Sequence, residues 1–283
     1  MLPELILREE RSDNLVLLLI LGFVTGAVAL GVASFLFPSE ADMIAVIFAA
    51  IPLIYPLMEK FFDDEKEGRV LVEDLEIYFS LFMGQVAAFY VAGILFTDVF
   101  EVQTQVFARQ LEMMQITGFA TNSVGFMGIL VNNLIVFTMV LGAAALIGSA
   151  GAFILSWNGS VLGVFLAILT KNLEDMNNVL ECSPNPSETV RSVGFSPSPL
   201  CYVPHATFEM SGFVLAGVLG TFVSTSVYRR DFDRTLWKKY GLMAGTGISL
   251  ILAGAGLETG FLSVFAFGLV TSFMFLLLWV ESE

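Results

Sequence analysis

The chain has 283 residues, of which 56% are hydrophobic and 14% are charged, and its mean hydropathy is +0.81. Soluble globular domains carry about 25% charged residues, so this composition excludes a water-soluble globular protein and a disordered one. The formal charge of -14 argues against nucleic acid and anionic lipid headgroups as the main partners. The composition therefore predicts a polytopic membrane protein surrounded by membrane lipid.

Apolar runs give eight predicted spans, because a helix needs about 20 apolar residues to cross the hydrocarbon core. In chain order they are residues 15–37, 43–58, 77–97, 124–147, 150–170, 206–228, 241–257 and 261–280. The second span is short and contains Pro52 and Pro56, so we expect it to be kinked or to end early. The predicted fold class is an all-α transmembrane helix bundle.

The positive-inside rule tests this threading, because Lys and Arg in short loops concentrate on the cytoplasmic side. With the N-terminus inside, ten basic residues lie in inner segments, namely Arg8, Arg11, Lys60, Lys66, Arg69, Arg229, Arg230, Arg234, Lys238 and Lys239. Three lie in outer segments, namely Arg109, Lys171 and Arg191. The rule predicts a multi-pass protein of the cell membrane with both termini cytoplasmic.

The fifth predicted span has an alternative threading. Trp157, Asn158 and Gly159 form a candidate helix break within it, so residues 151–170 either cross the membrane fully or form a re-entrant dip. A dip would place the basic segment 229–239 outside, against the positive-inside rule. We therefore favour a full crossing.

Two segments between the spans carry signals of their own. Residues 98–119 place apolar pairs at seven-residue intervals, which predicts an amphipathic helix that lies in the membrane interface or packs on the outer ends of the bundle.

The outer loop 172–203 contains Cys182 and Cys201, whose spacing fits neither a zinc ribbon nor a redox Cys-x-x-Cys motif. On an oxidising exterior we expect a disulfide, worth about 3 kcal/mol, with two free thiols as the alternative.

Small residues recur every four positions in three spans, which lets helix backbones approach closely. These stripes are Gly84, Ala88 and Ala92; Gly212, Ala216 and Gly220; and Gly245, Ser249 and Ala253. The facing helix belongs either to the same chain or to another copy, so a homo-oligomer is left open.

Five polar residues fall where apolar ones are expected. An ionisable residue inside the bilayer costs about 2.5 to 3.5 kcal/mol, and Glu209 and Glu258 are the two that enter the predicted spans. His205 precedes Glu209 by four residues and shares its helical face. Asn132 and Asn133 lie about two turns below the same surface. We expect the five side chains to converge at the outer leaflet.

Two interpretations fit this polar cluster. One is a proton or cation site with His205 as relay, and the other is a set of structural contacts between helices. We expect no metal centre, because one histidine cannot complete a zinc site from His and Cys alone. The chain has no nucleophile elbow and no phosphate-binding loop, so we expect no catalytic residue, no enzyme activity and no cofactor.

The order of several short motifs resembles the stage II sporulation protein M family of integral membrane proteins. The motifs are Val131-Asn132-Asn133, Trp157-Asn158-Gly159 with Gly163, Pro204-His205 with Glu209, and Leu257-Glu258-Thr259. Ala206 stands where the family commonly has a glycine. The resemblance covers roughly Phe100 to the C-terminus, and residues 15–58 look like an added hairpin. We therefore divide the chain into a transmembrane hairpin with a cytoplasmic acidic linker over residues 1–76 and the family-like membrane domain over residues 77–283.

The resemblance also implies a non-catalytic membrane component that acts as a scaffold. In this function the outer loop 172–203 and the helix 98–119 recruit protein partners at the outer face. The alternative belongs to a different class: a small transporter or channel for protons or cations. There Glu209, Glu258 and Asn158 would line the path, since broken helices expose backbone to ions.

Overall fold

The computed structural model of the chain describes residue 3 and residues 14–66, 72–103, 123–148, 151–172, 199–230, 234–259 and 261–280. Eight long helices account for nearly all of these residues, and no strand occurs among them. They are α1 (Leu15–Leu36), α2 (Ala41–Lys66), α3 (Val72–Leu95), α4 (Ser123–Ile147), α5 (Gly151–Asn172), α6 (Pro199–Arg229), α7 (Arg234–Glu258) and α8 (Leu262–Val280).

Seven of these helices contain a segment long and apolar enough to cross a membrane. The segments are Leu15–Leu36, Ala41–Phe61, Leu75–Leu95, Phe126–Ile147, Gly151–Ile168, Thr207–Arg229 and Arg234–Glu258. The eighth predicted span coincides with α8, whose apolar part Ser263–Leu276 is shorter. The predicted class is confirmed: the chain is an all-α, multi-pass helix bundle with the character of an integral membrane protein.

The predicted amphipathic helix over residues 98–119 lies mostly outside the described residues. A 3-10 turn covers Thr97–Val99, and residues 101–103 are helical. The interfacial position of this segment therefore stays a prediction.

Two prolines do not end α2, so the early end, one of the two expected effects, is wrong. The helix contains Pro52 and Pro56 and continues to Lys66. A proline inside a helix has no N–H to donate to the carbonyl four residues before it. The Gln85 side-chain amide of α3 donates to a different carbonyl of that turn, that of Ala49, at 3.3 Å. Much of the acidic linker is consequently helical, and residues 67–71 of it are not described.

The prediction of a helix break at Trp157, Asn158 and Gly159 is corrected by the structure, because α5 is continuous through all three residues. The Asn158 amide donates back to the carbonyl of Ile154 at 2.8 Å, within its own helix. Gly159 faces the ring of Phe82, which a Cβ would meet at 3.3 Å, so the glycine serves packing. Gly151–Ile168 is long enough to cross the membrane, in agreement with a full fifth span.

The chain divides into two compact units. Unit one comprises Met1–Phe107, Met139–Ile168 and Gly217–Asp231, and unit two comprises Ala108–Thr138, Leu169–Ala216 and Phe232–Glu283. Helices α4 and α6 contribute their first parts to unit two and their second parts to unit one.

In unit one, small residues bring α1 and α3 together. A Cβ on Gly84 would collide with the backbone of Leu19, and a Cβ on Gly22 would collide with that of Leu81. The first predicted small-residue stripe therefore packs against a helix of the same chain.

Two buried polar side chains of unit one, Ser156 and Gln85, bond to each other. The Ser156 hydroxyl donates to Gln85 Oε1 at 2.7 Å, and the Gln85 side-chain amide donates to the Ala49 carbonyl. Asp42 accepts the backbone N–H of Val102 through Oδ2 at 2.9 Å. A cavity of about 20 Å³ adjoins Gln85 and Ser156, which is room for a single water molecule.

In unit two, α7 packs closely on both of its neighbours. A Cβ on Gly212 of α6 would lie 2.9 Å from the carbonyl oxygen of Gly247. A Cβ on Gly268 of α8 would lie 2.6 Å from the backbone nitrogen of Ala253 and 2.8 Å from the carbonyl oxygen of Ser249. The third small-residue stripe is thus also covered by a helix of the same chain.

Candidate functional site

Three helices of unit two carry the residues of the predicted polar cluster. Helix α6 bears His205 and Glu209 one turn apart, α7 ends at Glu258, and α4 bears Asn132 and Asn133. Because α6 and α7 run in opposite directions along the chain, the start of one meets the end of the other. The same end of unit two thereby receives ionisable groups from both helices.

The structure brings His205, Glu209 and Glu258 into one cluster. One imidazole nitrogen and one oxygen from each carboxylate all lie within 4.8 Å of one another. The two glutamates are each 8% exposed, whereas His205 is half-buried. The cluster is therefore enclosed on the carboxylate side and more accessible at the imidazole.

Asn133 holds one of the carboxylates. Its side-chain amide donates to Glu209 Oε1 at 2.6 Å, and Asn133 is itself buried. Asn132 is exposed, and its amide reaches Asn133 Oδ1 at 3.5 Å. The two asparagines thus have different positions: Asn133 orients Glu209 directly, and Asn132 lies at the margin.

A glycine on α7 makes this arrangement sterically possible. A Cβ on Gly254 would lie 2.6 Å from Glu209 Cγ and 3.1 Å from the carbonyl oxygen of His205. Contacts this short are not tolerated by real side chains, so Glu209 occupies the space that an alanine would fill. Gly254 was not identified from the sequence, because one glycine among 25 carries no signal of its own.

The cluster holds two carboxyl groups and no basic Lys or Arg side chain among the described residues. Glu258 is the charged group that faces Glu209, and no Lys or Arg of the described residues forms an ion pair with either carboxylate. Across the described ranges, no residue donates a hydrogen bond to Glu258. The site therefore offers carboxylate oxygens that the surrounding helices leave available.

His205 lies two residues before the apolar segment Thr207–Arg229. Burial lowers the pKa of His205 to about 4, because desolvation disfavours the imidazolium. The imidazole is consequently neutral at pH 7. A neutral imidazole is the form that can offer a nitrogen lone pair to a metal ion.

This donor set can hold a single cation. His205, Glu209 and Glu258 supply one nitrogen and two carboxylate oxygens, which are established ligand types for divalent metals. The expectation of no metal centre rested on His and Cys alone. The sequence does carry a signal for a cation site, because His205 and Glu209 lie four residues apart on one helical face.

The remaining predicted residues do not join this cluster. Trp157, Asn158 and Gly159 belong to α5 in unit one. Cys182 lies outside the described residues, so its pairing with Cys201 stays a prediction.

No family model, no curated protein and no solved structure matches the chain. The resemblance to the stage II sporulation protein M family accordingly stays a prediction. The fold and the site define a multi-pass membrane helix bundle with a buried, acidic polar cluster.

Proposed function

We propose that the chain is a small transporter or channel for protons or cations, in which Glu209 and Glu258 bind the ion. The observation that carries this proposal is the convergence of two buried carboxylates and an imidazole within 4.8 Å. Neutral hydrogen-bonding residues would satisfy a purely structural contact at lower cost. Ionisable residues at membrane depth are usually found where an ion or proton is handled.

The depth of the cluster supports this proposal. Glu209 is the third residue of the apolar segment Thr207–Arg229, and Glu258 is the last residue of Arg234–Glu258. The carboxylates therefore lie near one end of their spans, within reach of a water phase. An ion entering there meets the half-buried His205 before the two buried carboxylates.

The proposal includes the orientation predicted from the basic residues, with the protein in the cell membrane and both termini cytoplasmic. In that orientation the cluster opens to the outer face. The scaffold hypothesis depends on the segments 98–119 and 172–203, most of which lies outside the described residues. No contact or distance of the described residues favours it, so it serves as the competing outcome below.

Ion flux in proteoliposomes tests the proposal. The full chain is reconstituted with dyes that report internal pH and internal divalent metal, and flux is started by a pH or metal gradient. We expect flux in the wild type and a loss of at least about tenfold in Glu209→Gln and in Glu258→Gln, since each removes an ion-binding charge. Glu40→Gln is the matched control, because Glu40 is exposed and lies in unit one.

Two results would contradict the transport proposal. One is an absence of flux from correctly folded wild-type protein under every gradient applied. The other is flux that persists unchanged in both glutamine variants. An absence of flux combined with partner capture that requires residues 172–203 would instead support the scaffold.

A further inference from the structure

We infer that the cluster is a binding site for one divalent first-row transition-metal ion, with His205, Glu209 and Glu258 as its three protein ligands. This inference deepens the proposed function and rests on the same site. The proposed function names protons or cations, and this inference specifies a divalent transition-metal ion.

Charge balance favours a divalent ion over a monovalent one. Two carboxylates face each other without a Lys or Arg partner among the described residues. A single 2+ ion neutralises both carboxylates at one site, whereas two protons or two alkali ions are needed to do the same. Burial makes this difference large, because an uncompensated charge is costly away from water.

The imidazole decides the type of divalent ion. Mg²⁺ and Ca²⁺ take oxygen ligands, and an imidazole nitrogen is a ligand of zinc, iron, nickel or copper. A histidine four residues before a glutamate, with a second carboxylate from another helix, gives a mixed nitrogen and oxygen set. Such a set suits Zn²⁺ and related ions better than the alkaline-earth ions.

The distances allow the three ligands to close on one ion. Metal bonds to nitrogen and carboxylate oxygen are about 2.1 Å long, so two ligands of a tetrahedral ion lie about 3.4 Å apart. The three ligand atoms lie within 4.8 Å of one another before any ion is bound. Side-chain rotations that shorten these separations by about 1.4 Å or less would complete the site.

The surroundings of the ligands match what metal sites require. Ligating carboxylates are usually held by a hydrogen bond from a neighbouring residue. Asn133 supplies such a bond to Glu209 at 2.6 Å, and Gly254 leaves the space in which the Glu209 side chain lies. Glu258 is 92% buried and receives no hydrogen bond from any residue of the described segments, which leaves its oxygens for an ion.

Three protein ligands also leave one position of a tetrahedral ion open for water. Closed, four-ligand sites are typical of structural zinc, whereas open sites exchange their fourth ligand. A site that loads and releases an ion needs this kind of exchange. The ligand number thus agrees with the proposed transport.

Cobalt binding to the full-length protein in detergent tests this inference. Co²⁺ reports its own coordination through visible absorption bands, and the protein is purified without a histidine tag. We expect one Co²⁺ per chain, displaced by Zn²⁺ and not by Mg²⁺. In His205→Ala and Glu258→Gln we expect the dissociation constant to rise by more than about 100-fold, beyond the usual effect of a residue outside the ligand set.

Two further variants separate ligand loss from misfolding. Glu258→Asp keeps the carboxylate, so part of the cobalt spectrum should return, whereas a general folding defect would not be rescued. Glu40→Gln should bind Co²⁺ like the wild type. The inference is overturned if wild-type protein binds no Co²⁺, or if His205→Ala and Glu258→Gln bind it unchanged.

The outcome also distinguishes the inference from the proposed function. Proton flux that requires Glu209 and Glu258, in a protein that binds no transition metal, would overturn the inference and keep the transport proposal. Metal bound through His205 and both glutamates, in a protein that moves no ion, would support the inference and overturn the transport proposal.

Discussion

Both units of the molecule bury polar side chains between apolar helices, but the two sets differ in how they are satisfied. In unit one, the hydroxyl of Ser156 and the amide of Gln85 are neutral and bond to each other and to a nearby carbonyl. In unit two, Glu209 and Glu258 face each other, and Asn133 is the residue that donates to Glu209. Donors match acceptors among Ser156, Gln85 and the Ala49 carbonyl, whereas acceptors exceed donors around Glu209 and Glu258.

This difference separates polar residues that join helices from polar residues that can bind an ion. A neutral network whose members satisfy one another joins helices and requires no ligand. A buried pair of carboxylates with few donors is unfavourable until a proton or a metal cation binds there. The comparison therefore predicts opposite responses to mutation in the two units.

The largest effect is expected from filling the space next to Glu209. Gly254→Ala places a methyl group 2.6 Å from Glu209 Cγ and should lower the free energy of unfolding by about 3 kcal/mol, the upper range for overpacking. Metal binding should be lost with it. Gly241→Ala is the matched control on the same helix, because a Cβ there meets nothing within 4 Å. Equal melting temperatures for the two variants would contradict the close packing around Glu209.

Removing one carboxylate should stabilise the metal-free protein. When both carboxyls are ionised, at high pH, the two charges less than 5 Å apart repel by roughly 3 kcal/mol at an effective dielectric constant of about 20, so we expect Glu258→Gln to gain about 2 kcal/mol there. Thermal unfolding in a metal chelator measures this change. A loss of stability would instead mean that the carboxylate holds the fold together, as in a structural contact.

The two asparagines should differ in their effect on ion affinity. Asn133→Ala removes the hydrogen bond that orients Glu209, so the dissociation constant for Co²⁺ should rise about tenfold, equivalent to about 1.4 kcal/mol. Asn132→Ala is the control and should change it by less than about twofold, because Asn132 is exposed. Equal effects of the two substitutions would show that Asn133 has no positioning role.

The smallest effect is expected in unit one. Ser156→Ala removes the donor to Gln85 and should destabilise the protein by about 1 kcal/mol, since the adjoining cavity lets a water molecule replace the hydroxyl. Ion binding and flux should stay at the wild-type level. A selective loss of flux in Ser156→Ala would contradict the division between a structural unit and an ion-binding unit.

Much of the fold could be predicted from the sequence, because span length and hydropathy follow directly from the apolar runs. The sequence was less informative about where helices end. α2 passes two prolines and extends to Lys66. α5 passes Asn158, whose side chain bonds within its own helix. The second outcome involves a local contact that the composition of a segment does not contain.

The members of the site could be predicted because they are polar in otherwise apolar spans. The sequence could not show which of them meet, because a rotation of α4 by one residue would exchange Asn132 and Asn133. It also did not predict Gly254, whose importance follows from the distance to Glu209.

The most direct test of the central claim is an anomalous diffraction map from crystals of the protein soaked in Zn²⁺ and measured at the zinc absorption edge. The account predicts one peak bounded by His205, Glu209 and Glu258, and no peak at that position in Glu258→Gln. A map without density among these three residues, or with the same peak in the variant, would contradict the assignment of a cation site.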